Sequence, residues 1–135
     1  MTMNLIKILG LATIAAGLAA PALAHHSFAM FDSDKTLTLI GTVKEFEWVN
    51  PHSWMHITIQ DAATGKPADY SFEMGSPGQL GSRGMKPDSV RPGDKVTIRF
   101  HPLKDGTHGG QYMSVTMADG KVWGNPGNPP GAPAQ

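Results

Sequence analysis

The 135-residue chain contains no cysteine, which excludes disulfide bonds, thiol chemistry and thiolate-ligated metal sites. It also has no net charge at neutral pH, with 11 basic and 11 acidic side chains. Proteins that bind nucleic acid through its phosphates normally carry a basic excess. We therefore expect no nucleic-acid partner.

The chain also lacks the motifs of the common enzyme classes. There is no phosphate-binding loop, no dinucleotide-binding glycine pattern, no zinc-protease histidine pair and no serine-hydrolase elbow. The carboxylates are scattered along the sequence, with no pair whose spacing predicts glycoside hydrolysis. We assign no catalytic residue and no organic cofactor, so catalysis is conceivable only at an assembled metal site.

One apolar run is present, at the N-terminus. Lys7 precedes the apolar residues 8–20, Pro21 follows, and Ala22-Leu23-Ala24 supplies the small residues of a cleavage site. The run is short for a membrane span, which needs roughly 20 residues. This pattern predicts a cleavable signal peptide over residues 1–24, a periplasmic or secreted protein, and no stable membrane anchor after cleavage. The partner is unknown, and a periplasmic protein is one candidate.

The remaining chain predicts one β domain over residues 25–123 and a disordered tail rich in proline and glycine over 124–135. The predicted strands are 36–48, 53–60, 68–74, 95–101, 111–117 and 121–123. Gly41 is predicted to be a bulge or bend, and residues 75–92 to be mainly loop, with one helical turn over 76–80. We expect a small antiparallel β-barrel or sandwich of five to six strands, with an OB-like barrel preferred.

Strand alternation separates the polar residues from the core. The predicted core face of the second strand carries Met55, Ile57 and Ile59. The opposite face of that strand carries His52, Trp54 and His56. The same alternation places Glu73 and His101 away from the core, and strand order decides whether all of these converge.

The histidines suggest a metal site. Cleavage after Ala24 would give His25 a free α-amine beside its imidazole, and these two nitrogens can chelate copper, with zinc as the weaker alternative. His26, His52 and His101 are the candidate further ligands. The competing interpretation is an N-terminus that is frayed and has no special chemistry.

Four other residues are candidates for a supporting shell or a ligand surface: Asn50, Trp54, His56 and Glu73. Each also has an ordinary structural alternative. Asn50 can satisfy backbone groups of a turn, and Trp54 can pack against a neighbouring strand. His56 and Glu73 can be ordinary solvent-exposed side chains. The function classes that remain are a metal-binding module, a non-metal ligand or protein-interaction module using Trp54, and a copper-dependent redox enzyme.

Several short motifs recur in one known family. They are Ala24-His25-His26-Ser27-Phe28, Gly41-Thr42-Val43, Asn50-Pro51-His52, Glu73 with Ser76-Pro77, Pro92-Gly93-Asp94 and His101-Pro102. In this combination the chain resembles an uncharacterised family, a domain of unknown function found in small exported proteins of Gram-negative bacteria. Met85 is a departure, since the family pattern has tryptophan after Arg83-Gly84. The resemblance implies export and a compact β domain, with no established activity.

Overall fold

A computed structural model describes residues 28–127, which form six strands and one short α-helix. The strands are β1 (Leu37–Glu47), β2 (Trp54–Gln60), β3 (Pro67–Glu73), β4 (Lys95–Pro102), β5 (Gly109–Met117) and β6 (Val122–Gly124). The helix α1 (Pro77–Ser82) follows β3, and a 3₁₀ turn (Phe28–Met30) precedes β1. Within residues 28–127, no helix has the length and apolar character needed to cross a membrane.

The strands close into a barrel. Hydrogen bonding joins them in the order β3-β2-β1-β4-β5-β6, and β3 also pairs with β5. This last ladder is parallel, whereas the other pairings are antiparallel. Five strands therefore form a closed barrel with OB connectivity, and β6 is added beside β5. The predicted OB-like barrel of five to six strands is confirmed, and closure selects the barrel over the sandwich.

Closure depends on glycine where β5 meets its neighbours. A Cβ atom at Gly109 would lie 2.1 Å from the carbonyl oxygen of Ser71 on β3. One at Gly110 would lie 2.1 Å from the carbonyl oxygen of His101 on β4. Real side chains do not approach backbone oxygens this closely, so these two positions need glycine for the strands to pair.

The long strand β1 changes partner halfway along its length. It pairs with β4 up to Thr42 and with β2 from Thr42 onwards. A Cβ at Gly41 would lie 2.9 Å from the Thr58 carbonyl oxygen, so glycine allows β2 to approach closely at this crossing. The bulge expected at Gly41 lies elsewhere, because the register against β2 shifts around Lys44.

The barrel interior is filled by residues that strand alternation assigns to the core. The largest fully buried apolar side chains are Phe72, Phe100, Met55, Ile57, Ile98, Val90 and Val115. Tyr70 is only half-buried, and its ring stacks on His108 with centroids 4.4 Å apart. The segment predicted to be loop contributes Met85 and Val90 to the core.

The helix α1 is short but well capped. The Ser76 hydroxyl accepts a hydrogen bond from the Gln79 backbone N–H, and the Gln79 side chain accepts one from the Ser76 backbone N–H. Pro77 occupies the first turn, where a missing N–H costs little. The helix ends two residues beyond the predicted turn and adds Leu80 to the core.

Several predictions fall at or beyond the edges of the described range. Gly124, the first residue of the predicted tail, is the last residue of β6, and the Asn125 N–H donates to the Met113 carbonyl. The predicted signal peptide, His25, His26 and residues 128–135 lie outside the described residues.

Candidate metal centre

The strand register places polar side chains in a row across the outside of the barrel. Glu73 on β3 lies opposite Trp54 of β2 and opposite Gln111 of β5. Gln111 in turn lies opposite His101 of β4. Directly opposed residues on neighbouring strands point to the same face of a sheet. These four side chains therefore share one outer surface.

His52 adjoins this row at the start of β2. It follows the turn at Asn50 and Pro51, whose peptide bond is cis and in which Asn50 is exposed. The His52 Nδ1 lies 3.3 Å from the Met74 carbonyl oxygen and 3.6 Å from Glu73 Oε1. A carbonyl oxygen only accepts, so Nδ1 carries the proton and the lone pair of a neutral ring is on Nε2. Histidines that bind metals are commonly fixed in this way.

Glu73 is nearly buried, although it lies on the outer side of β3. Its side chain is 10% exposed, and it lines a cavity of about 180 Å³ with His52, Gln79 and Gln111. A buried carboxylate is costly unless a cation or strong hydrogen bonds compensate its charge. The solvated carboxylate considered for this position is therefore not observed.

Phe28 also lines this cavity, and its side chain is 72% exposed. Phe28 is the first described residue and follows His25 by three positions. Three residues of extended chain span at most about 10 Å. The His52 cavity is thus within the chain-length reach of His25 and His26.

His101 is held at the end of the same row. Its Nδ1 lies 2.7 Å from the Lys35 carbonyl oxygen and donates to it, which puts the lone pair of the neutral ring on Nε2. Gln111 separates His101 from Glu73 across two strand pairings. Within residues 28–127, His52, Glu73 and His101 do not form a group whose ligand atoms all lie within 4.8 Å.

A different group of side chains does satisfy this distance criterion. The ligand atoms of Glu45, Glu47 and His56 all lie within 4.8 Å of one another, and no other such triad occurs in residues 28–127. The His56 Nε2 lies 2.7 Å from Glu47 Oε1, and its Nδ1 lies 2.7 Å from the Ser71 hydroxyl. The domain therefore contains a histidine–glutamate group that can hold a metal ion.

The β-bulge in β1 brings the side chains of this group together. Because Lys44 is an extra residue, Glu45 lies opposite His56, and Glu47 lies opposite Trp54. Sequence reasoning considered His56 but missed both glutamates. The alternation of Glu45 and Glu47 around Phe46 was a usable signal, but the register that brings them to His56 depends on a bulge that the sequence does not mark.

Two further contacts define the surroundings of His56. Its ring stacks on Trp54 with centroids 6.5 Å apart and planes inclined by 11°, so Trp54 packs along its own strand as well as facing Glu73. The bulged Lys44 pairs with Asp69 on β3. Hydrogen bonds from Lys44 and Thr58 lower the pKa of the Asp69 carboxyl, and the bond to Asp69 raises the pKa of Lys44.

The fold and these groups define a small OB-type barrel that carries candidate metal ligands on its outer surface. The chain matches a family of unknown function (DUF6152) over residues 13–113 and belongs to that family. The resemblance to an uncharacterised family is thereby confirmed. No curated protein and no solved structure matches the chain.

Proposed function

We propose that this protein is an exported metal-binding module in which the mature N-terminal His25, together with His52, holds a copper ion. The observation that carries the proposal is the His52 cavity. It contains the nearly buried Glu73, and Phe28 lines it three residues after His25. A cation in this cavity would compensate the charge of this nearly buried carboxylate.

The donor atoms favour copper. An N-terminal histidine supplies an amine and an imidazole, and His52 supplies a second imidazole whose proton is fixed on Nδ1 by the Met74 carbonyl. For such nitrogen ligands Cu²⁺ binds more tightly than Zn²⁺. His26 and His101 are candidates for the remaining positions. Glu73 would support the His52 ring and balance the charge of the ion.

Export is part of the proposal, because the chelate needs a free α-amine on His25. The N-terminal segment has the pattern of a signal peptide with cleavage after Ala24. We propose a periplasmic or secreted location on this basis. The intact mass of the protein recovered from the periplasm or medium tests the cleavage position, and a chain that begins at any residue other than His25 would contradict the proposed chelate.

Copper titration tests the site itself. The protein that begins at His25 is compared with the same protein acetylated on the His25 α-amine, since acetylation converts the amine into an amide. We expect the acetylated form to bind Cu²⁺ more weakly, because one of the two chelating nitrogens of His25 is lost. Equal, weak uptake by both forms would contradict the proposal.

Substitutions then assign the other ligands. His52→Ala should weaken Cu²⁺ binding by the form beginning at His25, and His101→Ala reports whether His101 takes part. Electron paramagnetic resonance of the Cu²⁺ complex gives an independent readout, because loss of an imidazole changes the nitrogen hyperfine pattern. An unchanged spectrum and affinity after His52→Ala would remove His52 from the site.

A further inference from the structure

The Glu45, Glu47 and His56 group shares no residue with the His52 cavity and needs nothing from the N-terminus. We propose that these three residues form a second, independent site for a divalent cation of the zinc class. All three ligands come from β1 and β2, so the closed barrel alone assembles the site. It therefore goes beyond the proposed copper function and does not rest on it.

The backbone brings the ligands together. The bulge at Lys44 turns Glu45 to the outer face, where it lies directly opposite His56. Glu47, two residues further along β1, reaches the same ring diagonally. Strand residues in a paired sheet are held more precisely than loop residues, which suits a preformed site.

The spacing of the donor atoms is close to that of a zinc site. Zn–N and Zn–O bonds of about 2.0–2.2 Å in a tetrahedron put ligand atoms roughly 3.4 Å apart. The three donor atoms already lie within 4.8 Å, with His56 Nε2 and Glu47 Oε1 at 2.7 Å. An ion that enters between them would require only side-chain rotation of the exposed Glu45 and the partly exposed Glu47, and water would fill the fourth position.

His56 can release Nε2 to a metal without losing its other hydrogen bond. Without metal, Nε2–H donates to Glu47, and Nδ1 accepts from the Ser71 hydroxyl. A hydroxyl can also accept, so the proton can move to Nδ1 and be donated to Ser71, which leaves the Nε2 lone pair for the ion. This is the outer-shell arrangement of many metal-bound histidines. The stack on Trp54 restricts the ring further.

The local charges also favour binding of a cation. Glu45 and Glu47 place two carboxylates close together, and like charges at this distance repel. The nearest lysine along the chain, Lys44, is committed to Asp69. Among the described residues, His56 forms an ion pair with Glu47, and Glu45 lies beside this pair without an ion pair of its own.

The test uses Zn²⁺ alone with the protein acetylated on the His25 α-amine, because this form lacks the N-terminal chelate. We expect binding of one ion, lowered at least about a hundredfold by His56→Gln and about tenfold by Ser71→Ala. Glu45→Gln should also weaken binding. Asp88→Asn removes the same charge from an exposed carboxylate outside the group and serves as the matched control.

Co²⁺ provides a spectroscopic check, since its visible absorption reports a four-coordinate nitrogen–oxygen site. Folding of each variant is verified by circular dichroism, and the exposed Glu45 can be changed without disturbing the core. Equal Zn²⁺ affinity of Glu45→Gln, Asp88→Asn and the parent would overturn the proposal. Because the acetylated form is used throughout, failure here leaves the copper proposal standing, and failure of the copper titration leaves this one standing.

Discussion

The two groups of candidate ligands differ in how they are completed. The Glu73 side chain is 10% exposed and reaches the His52 ring only at 3.6 Å, whereas the Glu47 side chain is 39% exposed and hydrogen-bonds His56 at 2.7 Å. The cavity thus holds a nearly buried carboxylate beside the start of the described chain. The surface triad is complete within β1 and β2. In the proposals above, the His52 site needs ligands from residues preceding Phe28, whereas the barrel alone positions the surface triad.

Both groups nevertheless depend on β3, and the largest expected effect tests this shared support. Ser71 contacts His56, Glu73 lies in the cavity, and both residues pair with β5 at the barrel closure. Gly109→Ala would drive a Cβ into the Ser71 carbonyl. We expect it to lower the free energy of unfolding by about 3 kcal/mol or more and to weaken metal binding at both sites.

The matched control is Gly65→Ala in the loop between β2 and β3. Gly65 has φ = 68°, but a Cβ there would meet nothing within 4 Å. Gly65→Ala should lower the free energy of unfolding only by the conformational penalty of about 1–2 kcal/mol. Both metal sites should stay intact. Chemical denaturation measures both variants, and equal destabilisation by the two would show that closure at Gly109 is not critical.

The next test compares how the charges of Glu73 and Glu47 affect the stability of the domain. Glu73→Gln removes a nearly buried charge while keeping the side-chain shape. We expect the metal-free protein to become more stable by about 1–3 kcal/mol, because an incompletely paired buried group carries a penalty of that size. Glu47→Gln removes a solvated charge and should change stability by less than about 1 kcal/mol.

Thermal and denaturant unfolding of the two metal-free variants measures this difference. Destabilisation by Glu73→Gln would mean that Glu73 is well compensated by the domain itself, which would contradict the proposed cation site in the cavity. The same variant should weaken Cu²⁺ binding by the form beginning at His25, so gain of stability and loss of affinity are expected together.

Much of the barrel could be predicted from the sequence. Period-2 alternation identified the inward face of β2, and the six predicted strands match the observed ones to within two residues at each end. These features are local, because side-chain alternation follows from backbone pleating alone. Pro77 and the Ser76–Gln79 capping box likewise mark a helix start within a few residues of sequence.

The sites could be predicted only in part, because they depend on pairings between distant segments. Alternation placed Glu73 on the outer side of β3, but its burial results from the cavity formed with Gln111 and Phe28. Glu45 and Glu47 were missed because a bulge, invisible in composition, sets their register against His56. The shift at Lys44 is decided by how two strands pack, which no single segment encodes.

The smallest expected effect concerns the contact that holds the bulged lysine. The pKa of Asp69 lies below its ordinary value of 3.8, chiefly because of the hydrogen bond from Lys44. The unfolded chain therefore binds a proton at a higher pH than the folded domain does. The stability that this contact contributes is fully present above the ordinary pKa and disappears as the pH falls through the folded-state pKa.

Asp69→Asn should accordingly be slightly less stable than the parent at neutral pH, and the difference should vanish at strongly acidic pH. Unfolding curves collected across the acidic range measure this stability difference, and a difference that does not change with pH would contradict the proposed role of the Lys44–Asp69 contact.

Asp69→Asn also distinguishes the two proposed metal sites. Lys44 released from Asp69 can turn to Glu45, its neighbour on the bulge, and compete with a divalent ion there. Zn²⁺ binding should therefore weaken while Cu²⁺ binding at the His52 cavity stays unchanged, because Asp69 does not line that cavity.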